Sequence, residues 1–102
     1  RQIVSEFKHA LEHSGVKVRK IILFGSYGRG HPRPWSDIDL CVVSDQFGKR
    51  DYDDMLRISK LAKSVNYLIE AHPINPKDLK NGVHPLADEI EKSGEEILKK
   101  AA

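Results

Sequence analysis

The chain has 102 residues, 39% of them hydrophobic and 31% charged, with a net charge of +2. That is room for one modest core, so a single domain over residues 1–102 is expected, and the balance excludes a disordered chain. No apolar run reaches the ~20 residues of a membrane span, no leader pattern is evident, and the charge is too small to indicate nucleic-acid binding.

The first stretch, Ile3, Val4, Phe7, Ala10 and Leu11, has the three-and-four spacing of an amphipathic helix that stops at Ser14-Gly15. Val18 to Phe24 then reads as a buried strand, its Ile21-Ile22-Leu23-Phe24 run bounded by Gly25. From Gly25 to Trp35 three glycines and two prolines predict a turn with room for one short helix. Asp37 to Val43 begins as an alternation and ends as an apolar run, the pattern of a second strand with an exposed start.

Asp51 opens a helix with acidic residues in its first turn and with Met55, Leu56, Ile58, Leu61, Ala62 and Val65 as its apolar face. Tyr67 to Ala71 predicts a third strand ending before Pro73. Asn75-Pro76 has the signature of a helix start, with Gly82 as its stop. A last helix is predicted from Pro85, burying Leu86, Ile90, Ile97 and Leu98. The order predicts an α/β (α+β) fold, a β-sheet with helices packed on it.

Three features converge between Gly25 and Asp39. Gly25-Ser26 follows a buried strand directly, where a glycine lets backbone approach a ligand and a serine hydroxyl can reach a phosphate oxygen. Asp37 and Asp39 are two apart at a strand start, so their side chains share one face and can share a hard divalent cation. Arg29 lies between, on a loop able to approach phosphate. Mg²⁺ is held by one or two carboxylates plus substrate phosphates, which is what such a group offers.

Each feature alone has a plainer explanation: a strand-to-turn junction, a solvated strand edge, a surface charge. Together they are harder to dismiss, because aspartate is depleted in strands and two carboxylates on one face repel unless a cation lies between. The glycines at 25, 28 and 30 do not have the dinucleotide spacing, and no lysine with serine or threonine follows them as in a P-loop.

Gly25-Ser26-Tyr27-Gly28-Arg29-Gly30 with Ser36-Asp37-Ile38-Asp39-Leu40 resembles the signature of the minimal nucleotidyltransferases, small members of the DNA polymerase β superfamily. The resemblance implies a mixed sheet flanked by helices, with the site at its open edge. It also implies Mg²⁺-dependent (Mn²⁺ being an alternative ion) transfer of AMP from ATP to an acceptor hydroxyl. Asp37 and Asp39 would hold the metal, Gly25 and Ser26 the β and γ phosphates, and Arg29 would assist at the nucleotide.

A third carboxylate on the third strand completes the family's site, and Glu70 stands there in place of the usual aspartate, as third metal ligand or proton acceptor. Gly28, where the family often has alanine, is a second departure. By the same resemblance the partner would be a helical HEPN-type protein, with this chain as its antitoxin in a toxin-antitoxin pair; a homo-oligomer is equally open. The rival class is a non-catalytic module that binds nucleotide or neutralises a partner by contact.

His72 is two residues past Glu70 and could face the same cleft, but a strand-end histidine without a special role is the commoner case. Tyr27 and Trp35 flank the loop and could stack on a base or pack against the loop itself. Cys41 reads as a small core residue, and a lone cysteine without a disulfide suits a cytoplasmic protein.

Overall fold

The computed structural model describes residues 2–25 and 36–99. The three-and-four spacing at the start becomes helix α1 (Gln2–His13), which buries Val4, Phe7 and Leu11. β1 (Lys20–Phe24) pairs antiparallel with β2 (Ile38–Val43), placing Ile22 opposite Cys41 and Phe24 opposite Asp39. Parallel neighbours need a crossover, and α2 (Asp51–Val65) makes it to β3 (Ile69–Ile74), which runs parallel to β2.

The Asn75 side chain accepts from the Lys77 amide at 2.9 Å and caps α3 (Pro76–Lys80), as the Asn-Pro pair predicts. α4 (Ala87–Ser93) and β4 (Glu95–Lys99) follow. The sheet order is β3-β2-β1-β4, a mixed sheet flanked by helices as expected.

Alternation along the strands sorts the apolar residues between two faces. Ile21, Leu23, Leu40, Val42, Ile69 and Ala71 point to one side, where Phe7 and Leu11 of α1 and Ile58 and Ala62 of α2 close the larger core. Ile22, Phe24, Cys41, Val43 and Ile74 point to the other and meet Ile90 of α4, with Leu79 and Leu86 packed at the margin.

Three expectations need correction. The last helix ends at Ser93 instead of passing Leu98, and residues 95–99 pair with β1 as a strand. Gly94 caps the helix with extended backbone. Its amide bonds Ile90 O at 2.7 Å, and a Cβ there would collide with that carbonyl and stand 2.8 Å from Ile22 Cγ2. Secondly, the third strand runs through Pro73, which sits opposite Val42; β3 is an edge strand, where a missing N–H costs no ladder bond on the open side.

Thirdly, Ile58 and Ala62 of α2 are buried, whereas Met55 and Leu56 are 41% and 44% exposed. At 100° per residue Leu56 lies about 160° round the helix from Ile58, facing away from the core. The short helix predicted within 25–35 lies, apart from Gly25, outside the described residues.

Candidate active site

β1 ends, and β2 and β3 begin, at the same end of the sheet. The two registers align Phe24, Asp39 and Glu70 as one row across three strands, with Ile22, Cys41 and His72 as the next row in. Partners in register share a face, so Asp39, Glu70 and His72 lie on the side of the smaller core. Asp37, one step before β2, falls on the same side by alternation and is exposed, whereas Asp39 and Glu70 are half-buried. The Ile38 amide bonds Leu68 O at 2.8 Å, tying the start of β2 to the turn before β3.

Gly25 is buried at the end of β1 with φ +68°, a region that side chains other than glycine rarely adopt. A Cβ there would collide with Asp39 Oδ2, standing 3.0 Å from Cγ and 3.3 Å from Asp39 Cβ. The Asp39 carboxylate therefore lies against the bare α-carbon of Gly25. Two constraints, one steric and one conformational, fix glycine at this position.

Glu70 is in register with Asp39, but its carboxylate is engaged from the sheet edge. Lys63, in the last turn of α2, donates to Glu70 Oε1 at 3.1 Å and also to Tyr67 O at 2.9 Å and Ile69 O at 2.7 Å. Among the described residues no three His, Cys, Asp or Glu side chains are gathered so that they could hold a metal ion. The structure thus places Asp37 and Asp39 at the start of the central strand β2 and leaves the Glu70 carboxylate turned to Lys63. Ser26 and Arg29 lie outside the described residues, as do Tyr27, Gly28 and Trp35.

His72 is half-buried, with its ring centroid 5.5 Å from that of Phe24 at 54°. Burial pushes its pKa below the usual histidine value, and neighbouring Glu70 opposes that. Cys41 is fully buried beneath this row, and burial pushes its thiol up to about 12, partly offset by Lys20. A cavity of about 490 Å³ between α3 and α4 is lined by Leu79, Lys80, Ala87 and Ile90, none of them in the aspartate row.

The donor set fits a hard divalent cation: two carboxylates on one face at a strand start, one seated against glycine and one exposed. Such an ion takes its other ligands from water and substrate phosphates. Sequence reasoning missed Lys63. It is one of two lysines on α2, and only the fold brings its ammonium to the start of β3.

The sequence matches the nucleotidyltransferase domain family over residues 1–97. It is 37% identical over 90 residues to a Methanocaldococcus jannaschii protein named "Putative protein adenylyltransferase", covering 82% of this chain. The chain spans 61% of that relative's length. A crystal structure of a "putative nucleotidyltransferase" from Sulfolobus solfataricus superposes with a TM-score of 0.73 at 19% identity, covering 97% of this chain and 79% of that one. A toxin-antitoxin crystallised with AMP-PNP gives 0.67 at 22% identity, covering 94% of this chain and 73% of that one. At those identities the two crystal structures speak for the fold alone.

Proposed function

Because the chain belongs to the nucleotidyltransferase domain family, we propose that it transfers AMP from ATP to a hydroxyl of a partner protein, using Asp37 and Asp39 to hold Mg²⁺. The observation that carries this reading is the Asp39 carboxylate seated against Gly25, with Asp37 beside it on the same face. A glycine with positive φ packed on a carboxylate is a demanding arrangement for a simple surface turn. The name of the M. jannaschii relative supports protein adenylylation.

In this reading the acceptor hydroxyl oxygen attacks the α-phosphorus, the bond to the bridging oxygen of the β-phosphate breaks, and pyrophosphate leaves. Mg²⁺, when bound, neutralises phosphate charge as it shifts toward the leaving group. Asp37 and Asp39 would hold that ion at the start of β2, beside Gly25. Gly25 and Ser26 hold the β and γ phosphates, and Arg29 adds positive charge to the nucleotide. Glu70 takes the acceptor's proton or joins the metal shell, for which its carboxylate must leave Lys63.

The acceptor belongs, on this reading, to a HEPN-type toxin for which the chain is the antitoxin, working in the cytoplasm. No helix among the described residues is long and apolar enough to cross a membrane. The test is incubation of the chain and its co-purified partner with α-phosphate-labelled ATP, with Mg²⁺ or with EDTA. Label on the partner only with Mg²⁺ is the expected result; absence of label in both sinks the proposal.

One observation favours a non-catalytic nucleotide-binding or partner-neutralising module: the third carboxylate is already paired with Lys63. That module would protect the partner's target without labelling the partner.

A further inference from the structure

Lys63 is built into the start of β3 more firmly than a surface lysine needs to be. An ammonium has three protons to donate, and here three oxygens receive them: Tyr67 O, Ile69 O and Glu70 Oε1. The two carbonyls fix the nitrogen whether or not the carboxylate is present. Asn66 holds that turn in shape, its side chain accepting from the Leu68 amide at 2.8 Å and its carbonyl from the Ile69 amide at 3.1 Å. The positive charge is therefore anchored to the backbone beside Glu70.

Glu70 stands opposite Asp39, with the two strands about 4.8 Å apart. A glutamate has one methylene more than an aspartate and so has two destinations from this position. It can lean over the open side of β3 to Lys63, as it does here, or reach across the row toward Asp39. An aspartate would have the second choice only at shorter range. Lysine and glutamate side chains are 43% and 47% exposed, so the pair contributes little to stability in water. Its effect is on where the charge sits.

We propose that Lys63 is a positioning residue that holds the Glu70 carboxylate away from the Asp37/Asp39 pair and yields it only when a divalent cation occupies that pair. The proposal rests on the reading of Asp37 and Asp39 as metal ligands. Without the ion, a third carboxylate in the row adds like-charge repulsion, which Lys63 relieves. With the ion present, the attraction reverses and competes with the ion pair. Lys63 thereby weakens metal binding through Glu70.

The experiment is Mn²⁺ titration by electron paramagnetic resonance, in the presence of a non-hydrolysable ATP analogue. It compares wild type, Lys63→Met, Lys63→Arg, Glu70→Gln and the Lys63→Met/Glu70→Gln double variant, with thermal unfolding of each. Lys63→Met is expected to bind Mn²⁺ roughly two- to fivefold more tightly, the equivalent of losing one exposed ion pair. Lys63→Arg should stay near wild type, and in the Glu70→Gln background the lysine change should have no further effect.

A merely structural lysine would lower the unfolding temperature in Lys63→Met without tightening Mn²⁺. That result overturns the proposal, as does an equal gain in the Glu70→Gln background, which would be a general charge effect. Asp39→Asn separates the two levels. If it abolishes Mn²⁺ binding while Lys63→Met changes nothing, the metal site stands and the role of Lys63 falls. If Asp39→Asn leaves Mn²⁺ binding intact, the metal reading itself fails and takes this proposal with it.

Discussion

The two faces of the sheet are built from the same strands and do different work. On the face covered by α1 and α2, alternate residues from Ile21 to Ala71 are apolar along all three strands and meet Phe7, Leu11, Ile58 and Ala62. On the other face the apolar rows stop short. The row of Ile22 and Cys41 gives way to Asp39 and Glu70 beside Phe24, with the exposed Asp37 beyond them. A strand that buries one face fully can present polar groups at one end of the other, because its register is already fixed by the first. The carboxylates are thus carried on a frame held from behind.

That division predicts that changes on the two faces separate stability from chemistry. The largest expected effect is on the polar row: Asp37→Asn and Asp39→Asn should each abolish labelled-AMP transfer while circular dichroism reports an unchanged fold. Glu70→Gln should lower single-turnover transfer by roughly 10²–10⁴-fold with ATP affinity retained, the range for loss of a positioned proton acceptor. Wild-type values of both would make Glu70 a surface charge.

Leu11→Ala works from the other side. It should cost about 2–5 kcal/mol in denaturant unfolding, as deletions in packed cores do, and leave Mn²⁺ affinity of the folded fraction unchanged. A loss of metal affinity there would mean that the two faces are not independent.

Gly25→Ala bridges the comparison, because Gly25 closes β1 and carries Asp39. The backbone alone should cost about 1–2 kcal/mol for a left-handed non-glycine residue. Displacement of the Asp39 carboxylate should weaken Mn²⁺ binding as well. A variant that loses stability but keeps metal affinity would dissociate the glycine from the site.

The smallest effect concerns Cys41. Its thiol should resist alkylation in the native protein at about pH 8 and react on unfolding. With the pKa raised from 9.0 to about 12, the folded state disfavours the thiolate. Stability from this group is complete below the unfolded value and declines as pH rises from 9.0 toward 12. Unfolding midpoints across alkaline pH check the sign.

Gly25, Asp37 and Asp39 stand out in the sequence because their signals are local: a glycine after an apolar run, and aspartates where strands avoid them. α1, β1, β2 and the capped start of α3 were legible for the same reason, since periodicity and caps are read within a few residues. β4 was not. Residues 95–99 contain too few apolar positions to separate strand from helix, and the deciding contact is Gly94 against Ile22, far away in sequence.

Pro73 misled because a proline ends a central strand but not an edge one, and edge status depends on the whole sheet. Leu56 misled because its angle round the helix turns it from the core; Met55 lies on the core side by angle, but in the exposed N-terminal part of α2, ahead of the first buried residue Ile58. Lys63 and Glu70 are seven residues apart, joined only by the turn that folds α2 onto β3.

The measurement closest to the central claim is single-turnover transfer from α-phosphate-labelled ATP to the co-purified partner protein, comparing wild type with Asp39→Asn under saturating Mg²⁺. The account predicts label on the partner with the wild-type chain and none above background with the folded variant. Equal labelling by both proteins would contradict it, since Asp39, seated on Gly25, would then not hold the reacting nucleotide's metal.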